Sequence, residues 1–124
     1  MSIRETKTML VGEVMIPLNR FPVILENMIL KEALEEMCSK RLGIACIVNK
    51  EKHLLGIITD GDLRRKLLKV QKPFSAFFID DALEHSIRPQ ITVKSDQTLW
   101  LAIEKMEEKQ VWDLPVINKS GVLV

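Results

Sequence analysis

The sequence predicts an α/β (α+β) fold made of two similar units, each a small sheet packed with helices. Helical and strand patterns alternate along the chain, and the strands are short apolar runs. The chain also resembles itself at an offset of 69 residues, the spacing from Met37 to Met106. Self-similarity at a fixed offset is typical of a tandem repeat, so we expect both units to share one topology.

The composition is that of a globular protein without a strong charge bias. With 124 residues, the chain makes one domain or two very small ones. The net charge of +1 gives no global attraction to nucleic acid or to an anionic membrane. Cys38 and Cys46 form neither a disulfide framework nor a metal-ligand spacing, and residues 1–8 lack a signal-peptide pattern. We therefore predict a cytoplasmic protein with no nucleic-acid, membrane or metal site.

The first unit alternates helix and strand in a recognisable order. Leu30, Ala33, Leu34 and Met37 keep the spacing of an amphipathic helix. The elements predicted in order are a polar lead-in over 1–12, a helical turn over 13–17, a strand over 21–25, a helix that Asn27 caps and that runs to about Arg41, and a hairpin of strands 44–48 and 54–58 around a polar turn at 49–53.

A strand-to-helix junction over 56–65 carries the clearest chemical signal. Its first residues end an apolar strand, and Thr59 is placed to cap a helix that runs to about Lys69. The start of such a helix presents free N–H groups and a positive dipole end, which attract anions. Two interpretations stay open. Thr59 and Asp62 only cap the helix, or Thr59 holds a phosphate while Asp62 accepts hydrogen bonds from ribose hydroxyls.

The second unit repeats the first without a gap between Leu30 and Leu54. The identical pairs are Leu30/Leu99, Ala33/Ala102, Glu35/Glu104, Met37/Met106, Lys40/Lys109, Asn49/Asn118, Lys50/Lys119 and Leu54/Leu123. The elements predicted in the second unit are a turn over 86–89 whose Pro89 matches Pro17, a strand over 91–93, a helix capped by Ser95 or Asp96 and running to about Gln110, a strand over 114–117, a tight turn over 118–121 and the start of a return strand.

The segment between the units differs from both. Residues 72–81 contain Phe74, Phe77 and Phe78, and we expect these rings to pack on a neighbouring element or on a partner chain. At the other end, the counterpart of Gly56 would be residue 125, so the second unit lacks its version of the strand-to-helix junction. We interpret the second unit as C-terminally truncated.

The repeated unit resembles the cystathionine-β-synthase (CBS) domain, and a tandem pair of such units resembles a Bateman module. The residues that carry the resemblance lie at 45–49, 55–65 and 114–118. The run Thr-Asp-Gly-Asp-Leu-Arg-Arg is especially similar to the CBS pair of arabinose-5-phosphate isomerases, a class of sugar-phosphate isomerases. The resemblance divides the chain into a first repeat over 9–69, a connection over 70–82 and a truncated second repeat over 83–124.

The resemblance implies a non-catalytic regulatory module. Its two repeats would pack about a pseudo-twofold and bind an adenosine nucleotide of the AMP or ATP type, or a related sugar nucleotide, in the cleft between them. No cofactor is required. The implied ligand-binding residues are Thr59, Asp62, Ala45, Cys46, Ile24, Gly56, Arg64 and Arg65, with Thr92, Leu114 and Pro115 at a second, less complete site. A homodimer of pairs, and a catalytic domain in cis or in trans, are the implied partners.

Two alternatives come from other classes of protein. The chain could be a structural dimerisation module without a ligand, or part of an enzyme whose catalytic domain lies elsewhere. His53 and His85 show no Ser, Cys or carboxylate partner at a suggestive spacing, so we predict no catalytic residue in the chain. Trp100 and Trp112 are interpreted as packing residues, with stacking of Trp112 on a base as the alternative.

Overall fold

The computed structural model describes residues 2–69, 72–88, 91–111 and 113–124. The predicted α/β (α+β) class is confirmed, since helices pack on two small sheets. The helices are α1 (Ile3–Thr8), α2 (Val11–Val14), α3 (Leu30–Lys40), α4 (Asp60–Lys69), α5 (Phe74–Phe78) and α6 (Leu99–Lys109), with 3-10 turns at Leu18–Arg20 and Ala82–His85. The strands are β1 (Val23–Leu25), β2 (Ile44–Val48), β3 (Leu54–Thr59), β4 (Val93–Lys94) and β5 (Val116–Ile117).

Each half contains one sheet, and the two sheets share a pairing pattern. In the first sheet the order is β1-β2-β3, with β1 parallel to β2 and β3 antiparallel to it. In the second sheet β4 pairs in parallel with β5. Ile24 faces Ile47 in the first half and Val93 faces Val116 in the second, which is the same register moved by the repeat offset. The internal repeat predicted from sequence is therefore a repeat of structure.

The turns and the C-terminal helix ends of the two halves also correspond at the repeat offset of 69 residues. The Asn49 side chain accepts from the N–H groups of Glu51 and His53, and the Asn118 side chain accepts from those of Ser120 and Val122. Such Asx turns explain the predicted tight turns. The helices α3 and α6 end in left-handed residues that also correspond, Arg41 with φ of 57° and Gln110 with φ of 53°.

The segment before each half packs on the other half. Helix α1 lies against α6, with Lys7 Nζ 5.1 Å from the centre of the Trp100 ring, and the Leu99 N–H donates to the Met9 carbonyl at 2.8 Å. In the first half, the Leu30 N–H donates to the Asp80 carbonyl, also at 2.8 Å. We call 3–14 the amino strap and 74–85 the connecting strap. The polar lead-in predicted over 1–12 contains α1 and the start of α2, two helices that were not predicted there.

The core of the first half includes the connecting strap. Phe77 is 2% exposed and packs with Ile24, Ala33 and Ile58, while Phe78 packs beside them half-buried. The prediction that the phenylalanines pack on a neighbouring element is confirmed for these two rings. Within the described ranges, no helix has the length and apolarity needed to cross a membrane.

Two predicted helix caps are corrected. Asn27 does not cap α3, whose N-cap is Ile29 without a side-chain bond, because the Asp80 carbonyl takes the Leu30 N–H instead. Neither Ser95 nor Asp96 caps α6. The Thr98 hydroxyl does so, accepting from the Leu101 N–H at 3.2 Å.

The strands of the second half are also shorter than predicted. β4 spans Val93–Lys94 rather than 91–93, and β5 begins at Val116 rather than at residue 114. Pro115 has no N–H to donate, although its carbonyl accepts from the Val93 N–H at 3.1 Å. The predicted turn over 86–89 includes Pro89, which lies outside the described residues, and so does Trp112 with its predicted packing role.

Candidate functional site

The strand-to-helix junction folds as its residues predict. β3 ends at Thr59 and α4 begins at Asp60. The Asp62 N–H donates to Thr59 Oγ1 at 3.1 Å, and the Thr59 hydroxyl donates to Asp62 Oδ2 at 2.7 Å. Thr59 therefore satisfies one of the free N–H groups at the helix start, which confirms the capping interpretation. A capping hydroxyl keeps a lone pair, so capping does not exclude a ligand.

Arg65 completes the cluster at this helix start. Its guanidinium donates to Asp62 Oδ1 at 2.5 Å, while the other carboxylate oxygen is held by Thr59. The Arg65 side chain is 62% exposed and that of Asp62 is 19% exposed. The cluster of Thr59, Asp62 and Arg65 is thus a half-buried carboxylate acceptor covered by one exposed, charged side chain.

Asp60 adds a second carboxylate to the first turn of α4. Its N–H donates to the Gly43 carbonyl at 3.0 Å. A Cβ atom built on Gly43 would lie 2.6 Å from Asp60 Oδ2, so the absence of a side chain at Gly43 gives this carboxylate its place. Two acidic side chains at one helix start partly cancel its attraction for a highly charged anion.

Residues predicted to line a ligand pocket lie in several environments. Ile24 and Ala45 are 1% and 0% exposed and belong to the core of the first half. Arg64 lies with Asp60 at a groove of about 460 Å³ between α3, α4 and α5. Thr92 is half-buried, and its carbonyl accepts from Lys105 Nζ at 3.0 Å.

A cavity of about 360 Å³ lies between the amino strap and the second sheet and reaches the first sheet at Cys46. We call it the seam cavity. Leu114 and Pro115 line it, so the structure brings these two predicted residues together with Cys46. Thr59, Asp62 and Arg65 are not among its lining residues, so the structure separates two groups that the resemblance assigns to ligand binding.

Two titratable side chains, Asp113 and Cys46, line the seam cavity. Partial burial raises the pKa of the Asp113 carboxyl. Burial, with a smaller contribution from the nearby Asp113 charge, raises the pKa of the Cys46 thiol to about 12. Cys46 therefore stays a neutral thiol at physiological pH and packs as a small apolar side chain rather than acting as a nucleophile.

Gly56 lies where the connecting segment crosses β3. Ile57 and Ile87 exchange two backbone hydrogen bonds, at 2.8 and 2.9 Å, which bring the chain after the connecting strap against this strand. A Cβ on Gly56 would lie 2.5 Å from Ser86 Oγ and 3.3 Å from the Ile87 carbonyl oxygen. Gly56 is therefore required by a close backbone approach.

We expect Gly56→Ala to lower the free energy of unfolding by about 1–3 kcal/mol, because backbone must move to admit the methyl group. Urea denaturation measures this change. Gly61→Ala is the matched control. Its Cβ would meet only the flexible end of Arg65, and alanine in a helix is expected to add about 0.5–1 kcal/mol. Equal effects at the two glycines would contradict the close-approach argument.

A series of hydrogen-bonded polar side chains, which the sequence did not predict, joins α4 to the connecting strap. His85 is 7% exposed and stacks on Phe77 with ring centres 4.2 Å apart. Its Nε2 lies 2.8 Å from Asp80 Oδ2 and its Nδ1 lies 3.2 Å from Lys66 Nζ. Asp80 is thus a carboxylate partner of His85 that the spacing along the sequence did not indicate, because an i, i+5 separation in an irregular segment forms no recognisable pattern.

The same series of polar side chains explains the charge state of Asp80. The hydrogen bond from Lys72, and then that from His85, lower the pKa of the Asp80 carboxyl. Oxygen or nitrogen atoms of Asp80, Glu84 and His85 lie within 4.8 Å of one another, a spacing that a metal could use. Lys66 and Lys72 already contact this group, however, so its charge is balanced without a cation. Its evident role is to fasten the connecting strap to α4.

Comparison with known sequences decides the family. Residues 11–69 match the family model of the CBS domain. This segment is a CBS domain. It contains β1, α3, β2, β3 and α4, and therefore the whole of the cluster formed by Thr59, Asp62 and Arg65. CBS domains are generally regulatory modules rather than catalytic ones.

Relatives of this CBS domain occur as part of longer proteins. The chain is 34% identical over 91 residues to the arabinose 5-phosphate isomerase KpsF of Escherichia coli, covering 73% of this chain and 27% of that protein. It is 34% identical over 92 residues to an uncharacterized protein of Helicobacter pylori, covering 73% of this chain and 26% of that protein. The chain thus spans about a quarter of the length of these relatives.

Solved structures extend the likeness to both halves. CBSX2 in complex with AMP has a TM-score of 0.79 and 22% identity, over 94% of this chain and 87% of that one. The CBS domain protein PAE2072 of Pyrobaculum aerophilum, complexed with AMP, has a TM-score of 0.77 and 23% identity, over 94% of this chain and 84% of that one. These likenesses show that the chain has the fold of CBS-domain structures across nearly its whole length.

Proposed function

We propose that the chain is a regulatory module that binds an adenosine nucleotide or a related sugar nucleotide between its two CBS repeats. The observation that carries the proposal is the cluster of Thr59, Asp62 and Arg65 at the start of α4. It combines a hydroxyl, a carboxylate acceptor and a guanidinium, the groups that ribose and phosphate require. Two solved structures with this fold are complexes with AMP, which supports the same ligand class.

The geometry suggests how a nucleotide would enter. Ribose hydroxyls would replace the Arg65 guanidinium at Asp62 Oδ1, because the Arg65 side chain is the exposed member of that pair. The released guanidinium would then be free to pair with the phosphate, which restores its charge partner. The carboxylates of Asp60 and Asp62 disfavour a triphosphate, so a monophosphate or a sugar nucleotide is the favoured ligand.

Binding would regulate by changing how the two repeats sit together. A ligand shifts such an equilibrium only through a higher affinity for one arrangement. The regulated unit would be a catalytic domain in cis or in trans. A sugar-phosphate isomerase domain is favoured, because KpsF matches this chain over only 27% of its own length.

Self-association is the second part of the proposal. Leu68 near the end of α4 is 83% exposed, and Ile79 after α5 is 69% exposed. Contiguous exposed apolar patches are typical of surfaces that meet another chain, and the proposal is that these two side chains belong to one. A homodimer of CBS pairs would cover them. A structural dimerisation module without a ligand is the alternative function that this surface supports.

The first experiment is a thermal-shift screen with AMP, ADP, ATP, S-adenosylmethionine and CMP- and UDP-sugars. A ligand at about 100 times its dissociation constant adds about 2.7 kcal/mol to the free energy of unfolding, which gives a clear rise in Tm. We expect such a rise with at least one of these nucleotides, and its loss in Thr59→Val. A flat screen on a folded dimer would instead support the dimerisation module.

A further inference from the structure

His85 lies between a hydrogen-bond donor and an acceptor, and these two partners fix the position of its proton. Its Nδ1 lies 3.2 Å from Lys66 Nζ, and its Nε2 lies 2.8 Å from Asp80 Oδ2. A lysine ammonium only donates hydrogen bonds, so Nδ1 is the unprotonated nitrogen that accepts. The Asp80 carboxylate only accepts, so Nε2 carries the hydrogen. The imidazole is therefore held as the neutral Nε2–H tautomer.

The two bonds of the ring respond in opposite ways to a second proton. A proton on Nδ1 would turn this atom into a donor that faces the donating ammonium of Lys66, with a positive charge on both groups. The bond to Asp80 would become stronger instead, because both of its partners would be charged. The ring also stacks on Phe77, and the face of an aromatic ring attracts a cation. Protonation would thus release Lys66 and leave His85 bound to Asp80.

Among the described residues, the charged groups that face the ring are two cations and two carboxylates. The cations are Lys66 and Lys72, and Lys72 donates to Asp80 at 2.6 Å. The ligand atoms of the two carboxylates, Asp80 and Glu84, lie within 4.8 Å of a His85 nitrogen. The neighbouring β3 and α5 contain no ionisable residue. The charged residues of α3 lie outside the buried cluster, and they are Lys31, Glu32, Glu35, Glu36 and Lys40. Lys66 is therefore the charged group that contacts the nitrogen where the second proton would bind.

Lys66 is also the polar link between two elements. Within the described ranges, its ammonium makes the side-chain hydrogen bonds that join α4 to the connecting strap, one with His85 and one, at 3.4 Å, with the Glu84 carbonyl. The second bond is long, so the bond to His85 is the main polar contact. Leu63 of α4 and Phe77 of the strap belong to the same buried cluster. Loss of the Lys66 contact would therefore loosen α4 from the strap without detaching it.

We propose that His85 is a pH-dependent switch in the contact between α4 and the connecting strap. The neutral ring holds Lys66 and fastens the two elements to each other. The protonated ring keeps Asp80, releases Lys66 and leaves α4 held by its apolar contacts. Histidine side chains ordinarily change charge between pH 5 and 8, which is the range in which the switch is to be tested. The switch requires no bound ligand.

A double-mutant cycle at two pH values tests the proposal. Lys66→Met, His85→Phe and the double variant are compared with the unchanged chain by urea denaturation at about pH 8 and about pH 5.5. We expect a favourable coupling between the two residues at the higher pH, and no coupling or the opposite sign at the lower one. Titration of His53, the other histidine, is common to all four proteins and cancels in the cycle. Lys69→Met is the matched control, because Lys69 is an exposed residue of the same helix, and it should show no coupling to His85 at either pH.

Nuclear magnetic resonance of the imidazole gives a second measurement that leaves His85 in place. The Nε2–H tautomer should be present at high pH. Lys66→Met should move the midpoint of the His85 titration upward by about one pH unit, because a neighbouring positive charge disfavours the protonated ring. Lys69→Met should leave that midpoint where it is. The opposite tautomer, an unchanged midpoint in Lys66→Met, or equal coupling at both pH values would overturn the proposal.

Discussion

Phe77→Ala is expected to lower the free energy of unfolding by about 3–5 kcal/mol, the usual cost of removing a large buried aromatic ring. Phe77 is 2% exposed, packs in the core of the first half and stacks on His85 at 4.2 Å. Its helix has only five residues and cannot be stable without this anchor. A loss of this size is a large part of the 5–15 kcal/mol typical of a globular protein.

Urea denaturation followed by circular dichroism measures the change, and Ile79→Ala is its matched control. Ile79 follows the same helix but is 69% exposed, so its truncation should change stability by no more than about 0.5 kcal/mol in the monomer. Phe77→Leu should fall between the two, because it keeps apolar volume and loses the stacked ring. A loss below about 1 kcal/mol in Phe77→Ala would mean that the connecting strap is not part of the core.

Asp62→Ala is expected to have the largest effect on the affinity for the proposed ligand. It removes the acceptor for ribose hydroxyls, and hydrogen bonds to a charged group are worth about 1.5–3 kcal/mol, so affinity for AMP should fall about 10- to 150-fold. The same change removes the partner of Thr59 and Arg65, and should lower stability by about 1 kcal/mol, as for the loss of a helix cap. Isothermal titration calorimetry measures the first effect and urea denaturation the second.

Asp60→Ala separates the role of Asp62 in ligand binding from its role in stabilising the start of α4. Asp60 lies in the same turn of α4, so its removal alters the helix start in a similar way without touching the contact between Thr59 and Asp62. We expect unchanged or higher affinity for AMP in this variant, because one negative charge near the phosphate is gone. If Asp62→Ala lowers stability and leaves the affinity unchanged, the site assignment is wrong and the cluster is only a helix cap.

Sequence reasoning succeeded where the interacting groups are close in the chain. Thr59 and Asp62 are three residues apart, and Asn49 caps a turn that closes within four residues, so side-chain type and spacing were enough to predict both. The repeat offset was equally secure, because identical residues at a fixed spacing recur in matching elements. Its transfer to strand register, with Ile24 facing Ile47 as Val93 faces Val116, follows from the same patterning of apolar residues.

The predictions that failed depended on contacts between residues that are far apart in the sequence. The first turn of α3 needs no cap from Asn27 because the Asp80 carbonyl, far along the chain, accepts the Leu30 N–H. Likewise, the packing of α1 on α6 depends on tertiary contacts that leave no periodic trace in a six-residue segment. For the site, sequence placed Cys46 and Ala45 together, yet alternate residues of a strand face opposite sides. Cys46 therefore reaches the seam cavity while Ala45 lies in the core.

Each strap packs against the half other than the one it leads into. This arrangement limits which piece of the sequence can be exchanged as an intact fold. A sequence boundary at the end of α4 would divide the chain into two halves of similar length, yet it would separate each half from the segment that completes it. The first half would lose Phe77 and Ala82 from its core, and the second would lose Val11. Recombination at that boundary would therefore transfer an incomplete fold. The smallest piece of this sequence that can be inherited, lost or exchanged with its core intact is therefore the two halves together with both straps.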